Sequence, residues 1–364
     1  MAGRRTSSRR AVLGGVGAVS AATLAATLGL RPRPADVLDG RGPNAPLPFV
    51  TPTERFYKFA NGPWPAPADV EAPLSLSGAG VSRTLPWREL LDLPTERVLR
   101  TIACDGNGYL GDLAPRSMGC EVAGDGFDPE EDSAHPPPRE WTWRFGGIGN
   151  AEWDVLTLEQ LFTAARVPME GSHLRLQGRD GYLRWFPREQ AGELLIAVGM
   201  NGQPLPHEHG APARLLASGQ YGAMSVKWLT SIAAGSRTGS RPWDGGSPER
   251  FPVKPVAFAS APLDGAEVPR GRLTLTGAAY AGPAGVKDVL FGPPGEDPRP
   301  ARLLDPPRPH VWSRWEAAIE LPEPGDVVLE IACSATDGRY SMPQSAWGDA
   351  EGWGGIYRLH LTVV

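Results

Sequence analysis

The sequence predicts an α+β chain whose second part is an all-β, immunoglobulin-like sandwich, and three observations carry that prediction. Glycine (45) and proline (39) exceed ordinary usage in a chain of 364 residues, which calls for many turns and short strands. Apolar residues at helical spacing occur in two short stretches. Thr84–Leu91 places Trp87, Leu90 and Leu91 on one face behind a Thr84 cap, and Leu156–Ala165 aligns Leu158, Leu161, Phe162 and Ala165. From about residue 249 the texture changes to strand-like runs separated by Gly, Pro and Asp: RLTLTGAAY, VKDVLFG, WSRWEAAIEL, DVVLEIACSATD and YRLHLTVV. Their length and spacing suit a sandwich, with Cys333 in its core.

The first thirty residues are read as an address. Basic MAGRRTSSRR leads into AVLGGVGAVSAATLAATLGL, the charged-then-apolar layout of a targeting segment. Ser8-Arg9-Arg10-Ala11-Val12-Leu13 resembles the twin-arginine export motif, which implies a periplasmic or cell-surface protein. The rival reading is an N-terminal membrane anchor, since the apolar run approaches the length that spans a bilayer. Residues 1–35 are assigned to this segment, 36–50 to a Pro-rich linker, 51–248 to a first domain and 249–364 to the sandwich. A formal charge of -5 gives no basic footprint for nucleic acid, so a small-molecule substrate is expected. Cys104, Cys120 and Cys333 lie far apart without a CxxC or CxxCH pattern, which signals neither a zinc site nor an attached haem.

Within the first domain, TPTERFYKFANGPWPAP reads as an aromatic-anchored edge strand. Val98–Ala103 reads as a strand that delivers Cys104 into Asp105-Gly106-Asn107-Gly108. The two glycines let a bulky group approach the sulfur, which suits a thiolate metal ligand. Cysteine's habit of burial supports the plainer reading of a small core residue. The acidic, Pro-rich segment from 110 to 140 is either a lid or a disordered insertion. GELLIAVGMNGQPLP is a strand broken by Asn201-Gly202, and ARLLAS is another. Between them lies His207-Glu208-His209, whose alternating histidines invite a zinc ion but lack an evident third ligand.

Cys-x-Gly-Asn at 104–107, WRFGGIGNAEWDVLTLEQLF at 143–162 and MNGQPLPHEHGAPARLLASGQYGAMSVKWLTSI at 200–232 together resemble the sulfite oxidase family of molybdenum-pterin enzymes. The resemblance implies a molybdopterin-binding fold, one pyranopterin with molybdenum, and Cys104 as catalytic residue and metal ligand. It implies cofactor contacts from Tyr57, Lys58, Asn61, Asn107, Asp180, His209, Arg214, Ser225, Val226 and Lys227. The cofactor's phosphate demands fixed cations and hydrogen-bond donors, which His209, Arg214, Ser225 and Lys227 supply. The resemblance further implies a homodimer formed through the C-terminal domain. Without a haem motif in the chain, electrons are expected to pass to or from a separate partner.

Departures from the family bear on the substrate. Where sulfite-oxidising members read Arg-Asn-His, this chain reads Phe59-Ala60-Asn61; where two arginines follow their Cys-x-Gly-Asn, it has Gly108 and Tyr109. No tyrosine occurs between Ala233 and Gly246, although Arg237 or Arg241 could compensate for a lost charge. FYKF resembles the FYEF of the periplasmic methionine-sulfoxide reductase branch. The expected activity is oxygen-atom transfer to or from a small substrate, with a pocket altered against sulfite. The alternatives are an S-oxide or N-oxide reductase of the same family, and an exported metal-free binding or scaffold protein.

Overall fold

A computed structural model of the chain describes residues 47–60, 64–68, 71–105, 146–237, 250–342 and 355–364. The export segment, most of the linker, Asn61, residues 106–109 with Asn107, Cys120, the 110–140 segment and Arg241 lie outside the described residues. Among the described residues no helix is long and apolar enough to cross a membrane.

Two sheets build the first half. One has the order β2-β1-β10-β5-β6, from Pro73–Gly78 (β1), Val81–Pro86 (β2), His173–Gly178 (β5), Leu183–Pro187 (β6) and Leu229–Gly235 (β10). The other is β3-β4-β7-β8 with β9 on β7, from Glu96–Ala103 (β3), Ile148–Thr157 (β4), Leu194–Met200 (β7), Gln203–Pro204 (β8) and Arg214–Ala217 (β9). Alternation along β5, where Leu174 and Leu176 are buried between more exposed neighbours, turns one face of the first sheet inward. There it meets Leu156, Ile196 and Leu215 of the second sheet, together with the helix Leu158–Ala165 (α2). That helix starts where the sequence places it, because Thr157 and Gln160 form a reciprocal capping box.

The Thr84–Leu91 helix is a correction. The chain reverses at Ala79-Gly80, both at positive φ, and all six residues of β2 then pair with β1, so Thr84 lies opposite Ser75. Only Arg88–Leu91 (α1) is helical, and Thr84 caps nothing. Trp87 and Leu90 are still buried, which is the apolar spacing that the sequence displayed. The edge strand expected in 51–60 is likewise absent: Thr53–Arg55 is a single 3-10 turn and the following residues are irregular. Phe56 is instead fixed by side-chain packing, edge-on to both Trp153 and His209.

The second half is all β. Val256–Ala261 (β11), Gly271–Tyr280 (β13), Ser313–Leu321 (β17) and Arg302–Leu303 (β16) form one sheet in the order β11-β13-β17-β16. Ala266–Val268 (β12), Tyr357–Val363 (β19), Gly325–Ala335 (β18), Val286–Gly292 (β14) and Arg299–Pro300 (β15) form the other, in the order β12-β19-β18-β14-β15. Phe258, Leu275 and Trp315 of the first share one core with Val289, Ile331, Cys333 and Leu359 of the second. Burial holds the Cys333 thiol up, at about 12, so it is an inert core residue.

That core does not stop at the second half. It includes Leu47, Ala103, Ile148 and Tyr221, and polar contacts converge on Thr101 of β3. The Thr101 hydroxyl accepts from the Trp312 backbone N–H at 2.9 Å, and its carbonyl accepts from the Tyr280 hydroxyl at 3.2 Å. The Thr101 N–H donates to the His310 carbonyl at 2.9 Å. The C-terminal sheets therefore brace the strand that carries Cys104.

Candidate active site

Cys104 stands where β3 ends. Its N–H donates to the Gly147 carbonyl at 2.7 Å, which continues the β3–β4 ladder by one residue and fixes the thiol at the sheet's edge. Arg214 and Lys227 reach the same place from another direction. Leu215 N–H donates to Val226 at 2.7 Å and Trp228 N–H to Gly210 at 3.1 Å, so residues 210–215 and 226–228 run side by side. Gly210, at φ +112°, is required here, because a Cβ would lie 3.0 Å from the Cβ atoms of both Arg214 and Lys227.

These elements enclose a solvent-open cleft of about 590 Å3. It is lined by Phe56, Tyr57, Phe59, Ala60, Cys104, Asp105, Asp180, Tyr182, Arg214, Gly222, Ala223, Ser225, Lys227 and Trp228. Gly222 permits the close approach of the Tyr57 hydroxyl, which would sit 2.6 Å from a Cβ at that position. Tyr182 donates to the Ala223 carbonyl at 2.6 Å, and the Arg184 Nε donates to the same oxygen at 2.8 Å, which pins the turn that carries Gly222.

Electrostatics distinguish the groups that line the cleft. Arg214 is 5% exposed, donates to the His209 carbonyl at 3.1 Å, and leaves its Nε with no hydrogen-bond partner. Desolvation lowers its pKa to about 10. The Lys227 ammonium donates to the Glu208 carbonyl at 2.8 Å, and burial followed by the nearby Arg214 charge pushes its pKa well below the usual lysine value. Two cations forced together away from water call for an anion between them. Ser225, buried beside them, accepts from the Ala217 N–H at 3.4 Å and keeps its own proton to donate. The thiol of Cys104, 6% exposed, also lines the cleft and donates to an Asp105 carboxylate oxygen at 3.6 Å. Burial, with the Cys104 and Asp105 charges adding to it and Arg214 opposing, holds the Tyr57 hydroxyl well above the usual tyrosine range and so protonated. Asp180 is raised by desolvation, partly offset by backbone N–H donors and by Lys227.

Of the sequence-derived residues, the cleft gathers Cys104, Tyr57, Asp180, Arg214, Ser225 and Lys227. Val226 is fully buried behind it, in the core between the sheets. Lys58 points elsewhere and pairs with Glu208 at 3.0 Å. His209 stands in the wall rather than the lining: its Nε2 donates to the Thr53 carbonyl at 3.0 Å, which leaves Nδ1 as a buried acceptor with no partner. Burial, and then the Arg214 charge, lower its pKa to about 3, so the ring is neutral. Residues 207–209 form a 3-10 turn rather than a strand, and His207 packs against Trp64 and Trp228. Among the described residues no group of three or more His, Cys, Asp or Glu is placed to hold a metal. Sequence reasoning missed Asp105, Tyr182, Gly222 and Ala223 as lining. Asp105 could have been found from its place beside Cys104, whereas the other three are brought in by tertiary packing.

Residues 71–243 match the family model described as "oxidoreductase molybdopterin binding domain". The chain is 29% identical to sulfite oxidase from Gallus gallus, over 81% of this chain and 68% of that one. It is 28% identical to mitochondrial sulfite oxidase from Drosophila melanogaster, over 81% of this chain and 55% of that one. These matches support membership of the sulfite oxidase family. The chain is 25% identical to human mitochondrial sulfite oxidase, a longer chain of which it spans 57%. The sulfane dehydrogenase SoxCD from Paracoccus pantotrophus has the same fold at 19% identity, with a TM-score of 0.68 over 86% of this chain and 81% of that one.

A molybdopterin of this family fits the residues present. The unpartnered Arg214 Nε, the buried Lys227 ammonium and the Ser225 hydroxyl suit a phosphate monoester, which would relieve the desolvation of both cations. Cys104, in the lining of the same cleft, is a soft thiol of the kind a transition metal selects.

Proposed function

We infer that this chain is a molybdenum-pterin oxidoreductase that moves an oxygen atom to or from a small substrate. One observation carries the reading: a single cleft is lined by a thiol and by a buried cation pair with a hydroxyl. The bound cofactor supplies a metal couple two electrons apart that gives or takes the oxygen. The protein's own part is to bind and orient. Arg214, Ser225 and Lys227 anchor the phosphate, Gly210 and Gly222 keep the walls close, and Tyr57, held protonated, offers a hydrogen-bond donor near the thiol. Phe56 and Phe59 add apolar surface to the lining.

Several finer assignments belong to the same reading. Residues 51–248 form the cofactor domain, and 249–364 form an immunoglobulin-like sandwich that serves a homodimer, supported by its two facing sheets and shared core. Light scattering of the purified chain reads the stoichiometry. The twin-arginine pattern supports export to the periplasm or cell surface, and electrons pass through a separate partner. Cell fractionation of an Arg9→Lys, Arg10→Lys double variant is expected to find the protein retained inside; undiminished export would remove that assignment.

Direction and substrate follow from the lining. Phe59 lines the cleft where sulfite-oxidising relatives carry arginine, so reduction of neutral S-oxides or N-oxides is the second reading and sulfite the poorer substrate. Metal analysis of natively purified protein is expected to find one molybdenum per chain, and Cys104→Ser to lose both metal and activity while the far-ultraviolet dichroism is kept. A serine variant with full turnover would remove the metal from this residue.

A further inference from the structure

We propose that the carboxylate of Asp105 is a specificity-determining group, an anion filter beside the thiol in the cleft. The inference rests on the cofactor reading above and adds the charge class of the substrate. Asp105 lines the cleft one residue beyond Cys104, with a carboxylate oxygen 3.6 Å from the sulfur. A substrate reacting at a group held by that sulfur would meet this carboxylate among its neighbours.

Among the described residues no cation makes a hydrogen bond or ion pair with Asp105; Arg214 is the cation of the lining whose charge reaches the Tyr57 hydroxyl that also feels Cys104 and Asp105. Arg214 and Lys227 donate to the carbonyls of His209 and Glu208 and face the place where an anionic phosphate belongs. Once that phosphate is bound, their charge is neutralised locally. The other carboxylate of the lining, Asp180, lies in the field of Lys227. Among the described residues Phe56, Phe59 and Ala60 of the lining are groups that cannot solvate an anion. A dianion brought to this place pays for desolvation and for repulsion by Asp105 together. A neutral sulfur or nitrogen oxide meets neither cost, and a substrate with a cationic group elsewhere gains from the carboxylate. At separations of about 5 Å and the effective dielectric of a partly buried site, unit like charges repel strongly enough to weaken binding by about tenfold or more.

The test uses metal-loaded protein and compares sulfate, an inert dianion, with neutral dimethyl sulfoxide. Tryptophan fluorescence titrations give a dissociation constant for each probe in wild type, Asp105→Asn and Asp105→Glu. The ratio of the two constants is expected to move at least tenfold toward sulfate in Asp105→Asn and to stay near the wild-type value in Asp105→Glu, which keeps the charge. An unchanged ratio in Asp105→Asn, or one that moves away from sulfate, overturns the filter. Molybdenum content of the same samples separates the two levels of the argument. Metal-free protein overturns the cofactor reading and the filter with it, whereas metal-loaded protein with an unchanged ratio overturns the filter alone.

Discussion

His209 is fully buried beside two cations, and its neutral ring is a condition for the site's geometry. Its folded-state pKa, about 3, lies below the ordinary 6.5, so the unfolded chain binds the additional proton between those values. The stability it contributes is present in full above pH 6.5 and is lost as pH falls toward 3. Each unit of that fall costs about 1.4 kcal/mol while the difference in proton binding lasts. His310, depressed to about 4 by burial and by Arg100, acts in the same direction over most of the same window. Denaturant unfolding of the metal-free protein between pH 7 and pH 4 is therefore expected to show falling stability. His209→Gln, which can still donate to Thr53, should remove about half of the slope and leave the His310 part. A variant with the full wild-type slope would mean that other groups carry the acid sensitivity.

At the scale of elements, the site depends on two segments held side by side, 210–215 and 226–228. Gly210→Ala puts a Cβ into both neighbours and forces a non-glycine residue to φ +112°, at a cost on the order of 1–3 kcal/mol. Thermal melts are expected to shift down, and metal content to drop because Arg214 and Lys227 are pushed apart. Gly192→Ala, whose Cβ would meet nothing within 4 Å, is the neutral control. Equal metal content in the two variants would show that the spacing is slack. This is also the scale at which the sequence is most readable. Val98–Ala103 as a strand into Cys104, the Thr157-capped helix and the Asn201-Gly202 turn are local signals, and each stands within a residue or two of its expected place. Thr84–Pro86 went the other way because pairing with β1, decided by the Ala79-Gly80 reversal, overrides a weak helical spacing. The lining residues Tyr182 and Gly222 were not legible, since hydrogen bonds and contacts between distant segments bring them in. His209 was legible as part of the site, but its place in the wall follows from one bond to Thr53 that no local pattern encodes.

The whole molecule ties chemistry to its C-terminal half through Thr101, three residues before Cys104. Ala103, Ile148 and Tyr221 lie in the same apolar core as Tyr280, Trp312 and Val311, so the cofactor domain does not close its own surface at this edge. A chain truncated after residue 248 would expose those side chains and strip Thr101 of its partners from Trp312, Tyr280 and His310. Such a chain is expected to be insoluble or to melt without cooperativity, unlike the full chain. A milder variant separates bracing from gross folding. Thr101→Val keeps the shape but leaves the buried Trp312 N–H without its acceptor, which costs about 1–3 kcal/mol. Its chemical denaturation midpoint should fall accordingly, while the strand still carries Cys104. If the truncated chain were soluble with a cooperative melt, and Thr101→Val matched wild type in stability, the two halves would be independent units. The sandwich would then serve association alone rather than the placement of the thiol.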